Sequence, residues 1–171
     1  MNFWQTIGMI GAGRATRFLL EGWIAGGGLP GRVLVTDCNG EVLEKLARDV
    51  PGIVPASPAE AAAAGLVVLA VHPPVLLEVI EGLRPHLQPN AVLLSLAPKI
   101  GCAKIAAVAS CGQVARMIPN APSAIGRGFN PVAFAEGFDP SAKAALLELA
   151  APWGEAPELP EGALEAYAIL S

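Results

Sequence analysis

The chain has few charges, few sulfur atoms and no long apolar stretch, and each shortage removes a class of function. Charged residues make up 15% of the 171 residues and sum to a formal net charge of -4, with no run of Lys or Arg. A protein that neutralises a phosphate backbone needs a basic face, so neither DNA nor RNA is expected as a partner. Hydrophobic residues reach 53%, yet they come in runs of about five to seven, far short of the ~20 that cross a bilayer. The cysteines Cys38, Cys102 and Cys111 are odd in number and lack a C-x-x-C pairing. Neither a disulfide framework nor a thiolate metal site follows, and buried or half-buried free thiols are expected. His72 and His86 form no H-x-x-x-H pair and no Ser/His/Asp order, so no metal and no nucleophilic triad is predicted. His86 reads as a helix-end or surface residue. The N-terminus lacks the basic stretch, apolar core and cleavage site of a secretory signal, which predicts a cytoplasmic protein.

What is present is an alternation of short apolar strands with longer segments of helical period. Strands are predicted over 6–10, 32–36, near Ile53 and Val54, over 66–71, 91–97 and 114–118. Between them lie a helix carrying Ala15, Phe18, Leu19 and Trp23 inward, a second with Val42, Leu43, Leu46 and Ala47 on one face, and a short one begun by Ser57 and Pro58. A further helix opens at Pro74 and another spans "CAKIAAVAS". "LVVLAV" is apolar throughout, as a parallel strand covered on both faces must be. "PNAPSAIGRG" is expected to be irregular, and "FNPVAFA" to be an edge strand because Pro131 has no N–H for a ladder. A helix capped by Asp139 and a terminal helix "EGALEAYAILS" follow. The pattern predicts an α/β Rossmann-like domain, a doubly wound and mostly parallel sheet over 1–158, with a C-terminal helical segment at 159–171.

"IGMIGAGRATRFLLEG" puts a glycine corner after the first strand and before the first helix, the context that dinucleotide binding demands. Gly11 permits the turn, Gly13 lets the backbone approach a pyrophosphate, and the helix start offers free N–H groups and a positive dipole end. Thr16 stands where a third small residue is usual; being β-branched, it should hold helix and strand slightly apart. Asp37 ends the second strand, where a carboxylate accepts from the ribose hydroxyls of NAD and repels a 2′-phosphate. It falls 26 residues after Gly11, an excess over the ~20 of the fingerprint that the "GGGLPG" connector explains. The expected cofactor is NAD or NADP, with Asp37 favouring NAD and Arg14 able to reach a phosphate.

In "IGMIGAG", "LAVHPPVL", "RMIPNAPSAIGRG" and the tail "WGEAPELPEGALEAYAILS", the chain resembles the nucleotide-binding domain of pyrroline-5-carboxylate reductases, enzymes of proline biosynthesis. The resemblance implies that Ala70, Val71 and Pro73 lie along the nicotinamide ribose, with Pro119 and Asn120 beside the nicotinamide. The residues expected to bind cofactor are Gly8, Gly11, Ala12, Gly13, Arg14, Ala15, Thr16, Asp37, Cys38, Ala70, Val71, His72, Pro73, Ala97 and Asn120. The chain departs from the family pattern where His72 replaces a lysine, Ile118 a methionine, and "SLAPK" stands for Ser-Ile-Ala-Ala-Gly. In the family a helical domain opening with Thr-Ala-Leu-Ser-Gly-Ser holds the substrate across a dimer. Here "AILS" is the last stretch, with Ala168 in place of the threonine.

The reaction so implied is hydride transfer from NAD(P)H to a C=N bond of a small imine, or a related carbonyl substrate, in a unit completed by a second domain or subunit. His72 is the candidate for proton transfer, since the reference pKa of an imidazole, ~6.5, suits acid and base work. Two other readings stand beside it: a nucleotide-binding module without turnover, and a reductase passing hydride between NADP and a deazaflavin. Leu164, Tyr167, Ala168 and Leu170 give the last helix an apolar face, which predicts docking on its own sheet or on a second copy in a homo-oligomer.

Overall fold

The computed structural model describes residues 3–171. Among the described residues the strands are β1 (Thr6–Ile10), β2 (Arg32–Thr36), β3 (Val54–Pro55), β4 (Leu66–Leu69), β5 (Val92–Ser95), β6 (Val114–Met117), β7 (Gly128–Phe129), β8 (Val132–Phe134) and β9 (Gly154–Glu155). The α-helices are α1 (Arg14–Ala25), α2 (Gly40–Asp49), α3 (Pro58–Ala62), α4 (Pro73–Leu83), α5 (Cys102–Ala109), α6 (Pro140–Ala150) and α7 (Glu161–Leu170). Seven strands form one sheet in the order β3-β2-β1-β4-β5-β6-β8. All neighbours in it are parallel except β8, which runs antiparallel to β6 at the edge. The chain winds outward from β1 in both directions, so the strand order reverses between β1 and β4, where such sheets open a crevice at their carboxyl ends.

Side chains alternate faces along each strand, and the sequence fills both faces with apolar groups. Ile7, Met9, Val33, Val35, Val68 and Leu94 meet Leu19, Leu20, Trp23, Leu46 and Leu146 from α1, α2 and α6. Ile10, Leu34, Val67, Leu69 and Leu93 meet Ala61, Ala62, Leu76, Ile80 and Ile105 from α3, α4 and α5. Gly8 belongs to this second face: a Cβ there would stand 1.9 Å from the Ala61 carbonyl oxygen, so the glycine lets α3 lie against the sheet. Trp23 and Trp153 stack at 4.9 Å between ring centres and donate to the carbonyls of Leu149 and Leu19, which ties α1 to the end of α6.

The doubly wound sheet stands as expected, with local differences. The strands expected over 66–71 and 91–97 are shorter, because the chain turns after Leu69 and Ser95 while Ala70 N–H and Leu96 N–H still bond Ile10 and Leu69. Pro73, not Pro74, is the first residue of α4. Val42, expected inward, is 38% exposed, since Leu46 alone anchors α2 fully. The irregular stretch contains a 3₁₀ turn at Ala121–Ile125, and a two-stranded pairing of β7 with β9 was not foreseen, being only two residues on each side. Among the described residues no helix is long and apolar enough to cross a membrane, and no group of His, Cys, Asp and Glu is arranged to hold a metal. The thiols are a partial correction: Cys102 is buried and Cys111 half-buried, but Cys38 is exposed, because the turn after β2 carries it out of the core.

Candidate nucleotide-binding site

Gly11 leaves β1 at φ 111, in the region that favours glycine, and a Cβ on it would lie 2.6 Å from the Ala70 carbonyl oxygen. The close approach of the loops after β1 and β4 therefore requires a glycine. Gly13 is different: it is extended, and a Cβ would meet nothing within 4 Å. Its bare Cα faces open space. Gly13 is also the N-cap of α1, and neither a capping side chain nor an acidic residue satisfies the first turn. The N–H groups at a helix start have no partners within the helix, and their dipole favours an anion. An open, uncapped start behind a glycine corner is a cradle that fits a diphosphate. Thr16 helps to shape it. Rather than acting as a spacer, it is fully buried and its hydroxyl donates to the Gly11 carbonyl at 2.6 Å.

Asp37 follows β2 and is half-buried. Its Oδ2 accepts from Ala12 N–H at 2.7 Å and its Oδ1 from Asn39 N–H at 2.8 Å. The carboxylate thus holds the glycine corner against the end of β2 before any ligand arrives. Each carboxylate oxygen has two lone pairs, so one on each remains for a ribose hydroxyl. Ala12 is 4% exposed and its N–H donates to Asp37, so it supports the corner. Gly8, expected among the cofactor residues, packs against α3 inside β1 and stands apart from the corner.

The other expected residues gather beyond the carboxyl ends of neighbouring strands. Ala70, Val71, His72 and Pro73 follow β4, Ala97 follows β5, and Pro119 and Asn120 follow β6. His72 is exposed, caps α4 through no side-chain bond and has no partner to orient its ring. Ala97 is buried, its N–H accepted by Ser95 Oγ at 3.2 Å. Asn120 is held by a reciprocal arrangement: its Oδ1 accepts Phe129 N–H at 3.0 Å, and its own N–H bonds Asn130 Oδ1 at 3.3 Å. The Asn120 side-chain amide N–H groups remain available. A cavity of about 380 Å³ opens here, walled by Arg14, Phe18, Leu96, Pro98, Ile118, Pro119, Asn120, Ala168 and Ser171 among others. The cavity brings together the start of α1, the loops after β5 and β6, and the end of α7.

Sequence reading missed how α7 is held. Arg116 in β6 is fully buried, and its guanidinium donates to Glu161 at 3.1 Å and to Glu165, one turn apart on α7. Its Nε is buried without a partner. Glu161 Oε1 also accepts Cys102 N–H at 2.8 Å, so one carboxylate anchors the start of α5 and the cation in β6 together. Burial, with the Glu161 carboxylate beside it, pushes the Cys102 thiol up to about 12. Leu164 is fully buried and Phe129 packs on Tyr167 at 5.6 Å, while Ile169 and Leu170 are exposed. The signal was legible in principle: an arginine alone in the apolar strand "VARMI" needs carboxylates, and Glu161 and Glu165 are spaced to share a helix face.

Fold and corner together define a doubly wound α/β nucleotide-binding domain of the dinucleotide type. The chain belongs to the family described as NADP oxidoreductase, coenzyme F420-dependent, which matches residues 6–99. It is 30% identical over 172 residues to a pyrroline-5-carboxylate reductase of Corynebacterium melassecola, covering 97% of this chain and 63% of that protein. A second, from Pseudomonas aeruginosa, is 34% identical over 124 residues, covering 71% of this chain and 45% of the relative. The chain therefore spans less than two thirds of these curated relatives. Among solved structures, a pyrroline-5-carboxylate reductase from Coxiella burnetii superposes with a TM-score of 0.82 at 23% identity, covering 99% of this chain and 68% of that one. The Plasmodium falciparum pyrroline carboxylate reductase, solved with NADP bound, gives 0.79 at 18% identity, covering 99% and 66%.

Proposed function

We propose that this chain is the dinucleotide-binding unit of a reductase of the pyrroline-5-carboxylate type, which delivers hydride to the C=N bond of a small imine when a second domain or subunit closes the substrate side. The observation that carries this reading is the uncapped start of α1 behind Gly11 and Gly13, with Asp37 bracing the corner. The relatives named for that reaction support it over most of the chain. NAD(P)H, when bound, supplies the hydride. The chain's own residues bind and orient. Amides of the first turn of α1 take the diphosphate, with Arg14 at its edge. Asp37 takes the adenosine ribose through its remaining lone pairs and, by its charge, disfavours a 2′-phosphate, which makes NAD the preferred cofactor. Asn120 directs its free amide N–H toward the reacting end, and His72 supplies a proton from the loop after β4. The last two assignments rest on the position of those loops beyond the carboxyl ends of β4 and β6.

The test is titration with NADH and with NADPH, read by energy transfer from the tryptophans. Binding of either with a dissociation constant below about 100 μM supports the cradle; none at millimolar concentration rejects it. A tighter constant for NADH supports the role of Asp37, and a tighter one for NADPH rejects it. One observation favours a second reading: the description of the matching family names a deazaflavin coenzyme, F420. Absorbance changes on mixing reduced deazaflavin with NADP, with no turnover of imines, would select it.

A further inference from the structure

Thr16 stands in the first turn of α1 and is fully buried. A buried hydroxyl needs an acceptor, and a helical threonine usually takes the carbonyl three or four residues before it. Thr16 instead reaches back across the glycine corner to the Gly11 carbonyl, at 2.6 Å. Among the described residues no other donor bonds that carbonyl. The Gly11 N–H is taken as well, donating to the Thr36 carbonyl at 2.8 Å. The glycine is thus gripped from α1 on one side and from the end of β2 on the other.

One peptide unit joins this bond to Asp37. The carbonyl that Thr16 holds and the Ala12 N–H belong to the same Gly11–Ala12 peptide, and that N–H donates to Asp37 Oδ2 at 2.7 Å. A trans peptide is planar and stiff, so fixing the direction of its carbonyl fixes where its N–H aims. Hydrogen bonds at the two ends of one amide also polarise and strengthen each other. Asp37 has a second hold, the Asn39 N–H on Oδ1 at 2.8 Å, but that donor lies two residues away in the same turn. With it alone the carboxylate could pivot; the bond from the corner sets its plane. Thr16 shares no hydrogen bond with Asp37 and reaches it only through the peptide.

We propose that Thr16 is a positioning residue: its hydroxyl locks the Gly11–Ala12 peptide, and the locked N–H orients the Asp37 carboxylate toward the ribose hydroxyls of a bound adenine nucleotide. The ligand is that of the proposed function, on which this rests, while the coupling itself can be read in the free chain. Hydrogen exchange of the Ala12 amide is followed by NMR, and ADP and 2′-deoxy-ADP are titrated onto the full chain. The two nucleotides share the diphosphate and differ by one hydroxyl, so their affinity ratio reads the ribose contact alone. The wild-type chain should prefer ADP. Thr16→Val, which keeps the shape and removes the hydroxyl, should speed Ala12 exchange about tenfold and bring the ADP preference close to that of Asp37→Asn. Thr16→Ser should restore both, an outcome that a packing role for the side chain would not give. Combining Thr16→Val with Asp37→Asn should lose no more preference than either change alone, since residues acting through one network are not additive. Thr16→Ala gives the same reading should the valine variant not fold. An ADP preference in Thr16→Val within about twofold of wild type overturns the proposal, as do additive losses in the double variant or unchanged Ala12 exchange. Failure of the wild-type chain to bind ADP would refute the reductase reading, and Ala12 exchange in the free chain would still decide whether Thr16 holds the peptide that orients Asp37.

Discussion

Arg116 and its two glutamates make a sharp prediction about which partner the fold can least afford to isolate. The guanidinium side chain has 0% exposure, while the side chains of Glu161 and Glu165 keep 36% and 32%. Removing the cation by Arg116→Met leaves two carboxylates that can turn toward water. Removing both negative charges by Glu161→Gln and Glu165→Gln leaves a buried cation with no counter-charge, and its Nε already has no partner. Breaking a buried pair costs about 3–5 kcal/mol, which sets the expectation for the double glutamine variant. The arginine variant should lose roughly half of that, about 2 kcal/mol, because rehydrated carboxylates recover part of the loss. The triple variant should recover much of the stability, since burying apolar and neutral groups in place of an ion pair is often close to neutral. Glutamine keeps an oxygen to accept Cys102 N–H, so the α5 anchor is preserved and the charge is isolated as the variable. Urea unfolding followed by tryptophan emission reads the difference; at ~2–4 °C per kcal/mol for a chain of this size, thermal melts should separate the variants by several degrees. If Arg116→Met is as destabilised as the double variant, or more so, the guanidinium is not the partner in jeopardy and α7 is held chiefly by Leu164.

Three further outcomes follow from the same structure. Gly11→Ala should lose both dinucleotide binding and about 2 kcal/mol or more of stability, from the positive φ and the contact with Ala70; Gly13→Ala should lose dinucleotide affinity tenfold or more with a stability change below about 1 kcal/mol, since its Cβ would touch nothing in the protein. Calorimetric melts beside NADH titration check both, and equal stability losses would contradict the distinction. Asp37→Asn should move the NADH-to-NADPH affinity ratio toward NADPH by about tenfold, roughly 1.4 kcal/mol, and a ratio unchanged within twofold in fluorescence titration would show that the carboxylate serves only the corner. Cys102 sets an alkaline limit. Its thiol stays protonated in the folded chain while the unfolded chain ionises from about 9, so stability should fall as pH rises between 9.0 and about 12. Cys102→Ala should flatten that part of a melting-temperature profile, and exposed Cys38 should be the first thiol to react with an alkylating reagent at neutral pH.

Much of the architecture could be read from residue order because each cue is local. The strand and helix periods, the caps at Ser57 and Asp139, and the glycines of the corner act within a few residues of where they stand. The same holds for Pro131, whose missing N–H marked the edge strand. The corner, Asp37 and the strand-end loops were recognisable as a candidate site because a doubly wound sheet brings its carboxyl ends together whatever the side chains are. What tertiary structure alone decided is how partners distant in sequence share their hydrogen bonds and charges. Asp37 spends one acceptor on the corner 25 residues away, Gly8 is a packing residue because α3 happens to lie against it, and Arg116 finds Glu161 and Glu165 only once α7 has packed onto the fold. Period and propensity are properties of neighbours along the chain, whereas burial, ion pairing and imposed strain depend on which segments the fold sets side by side.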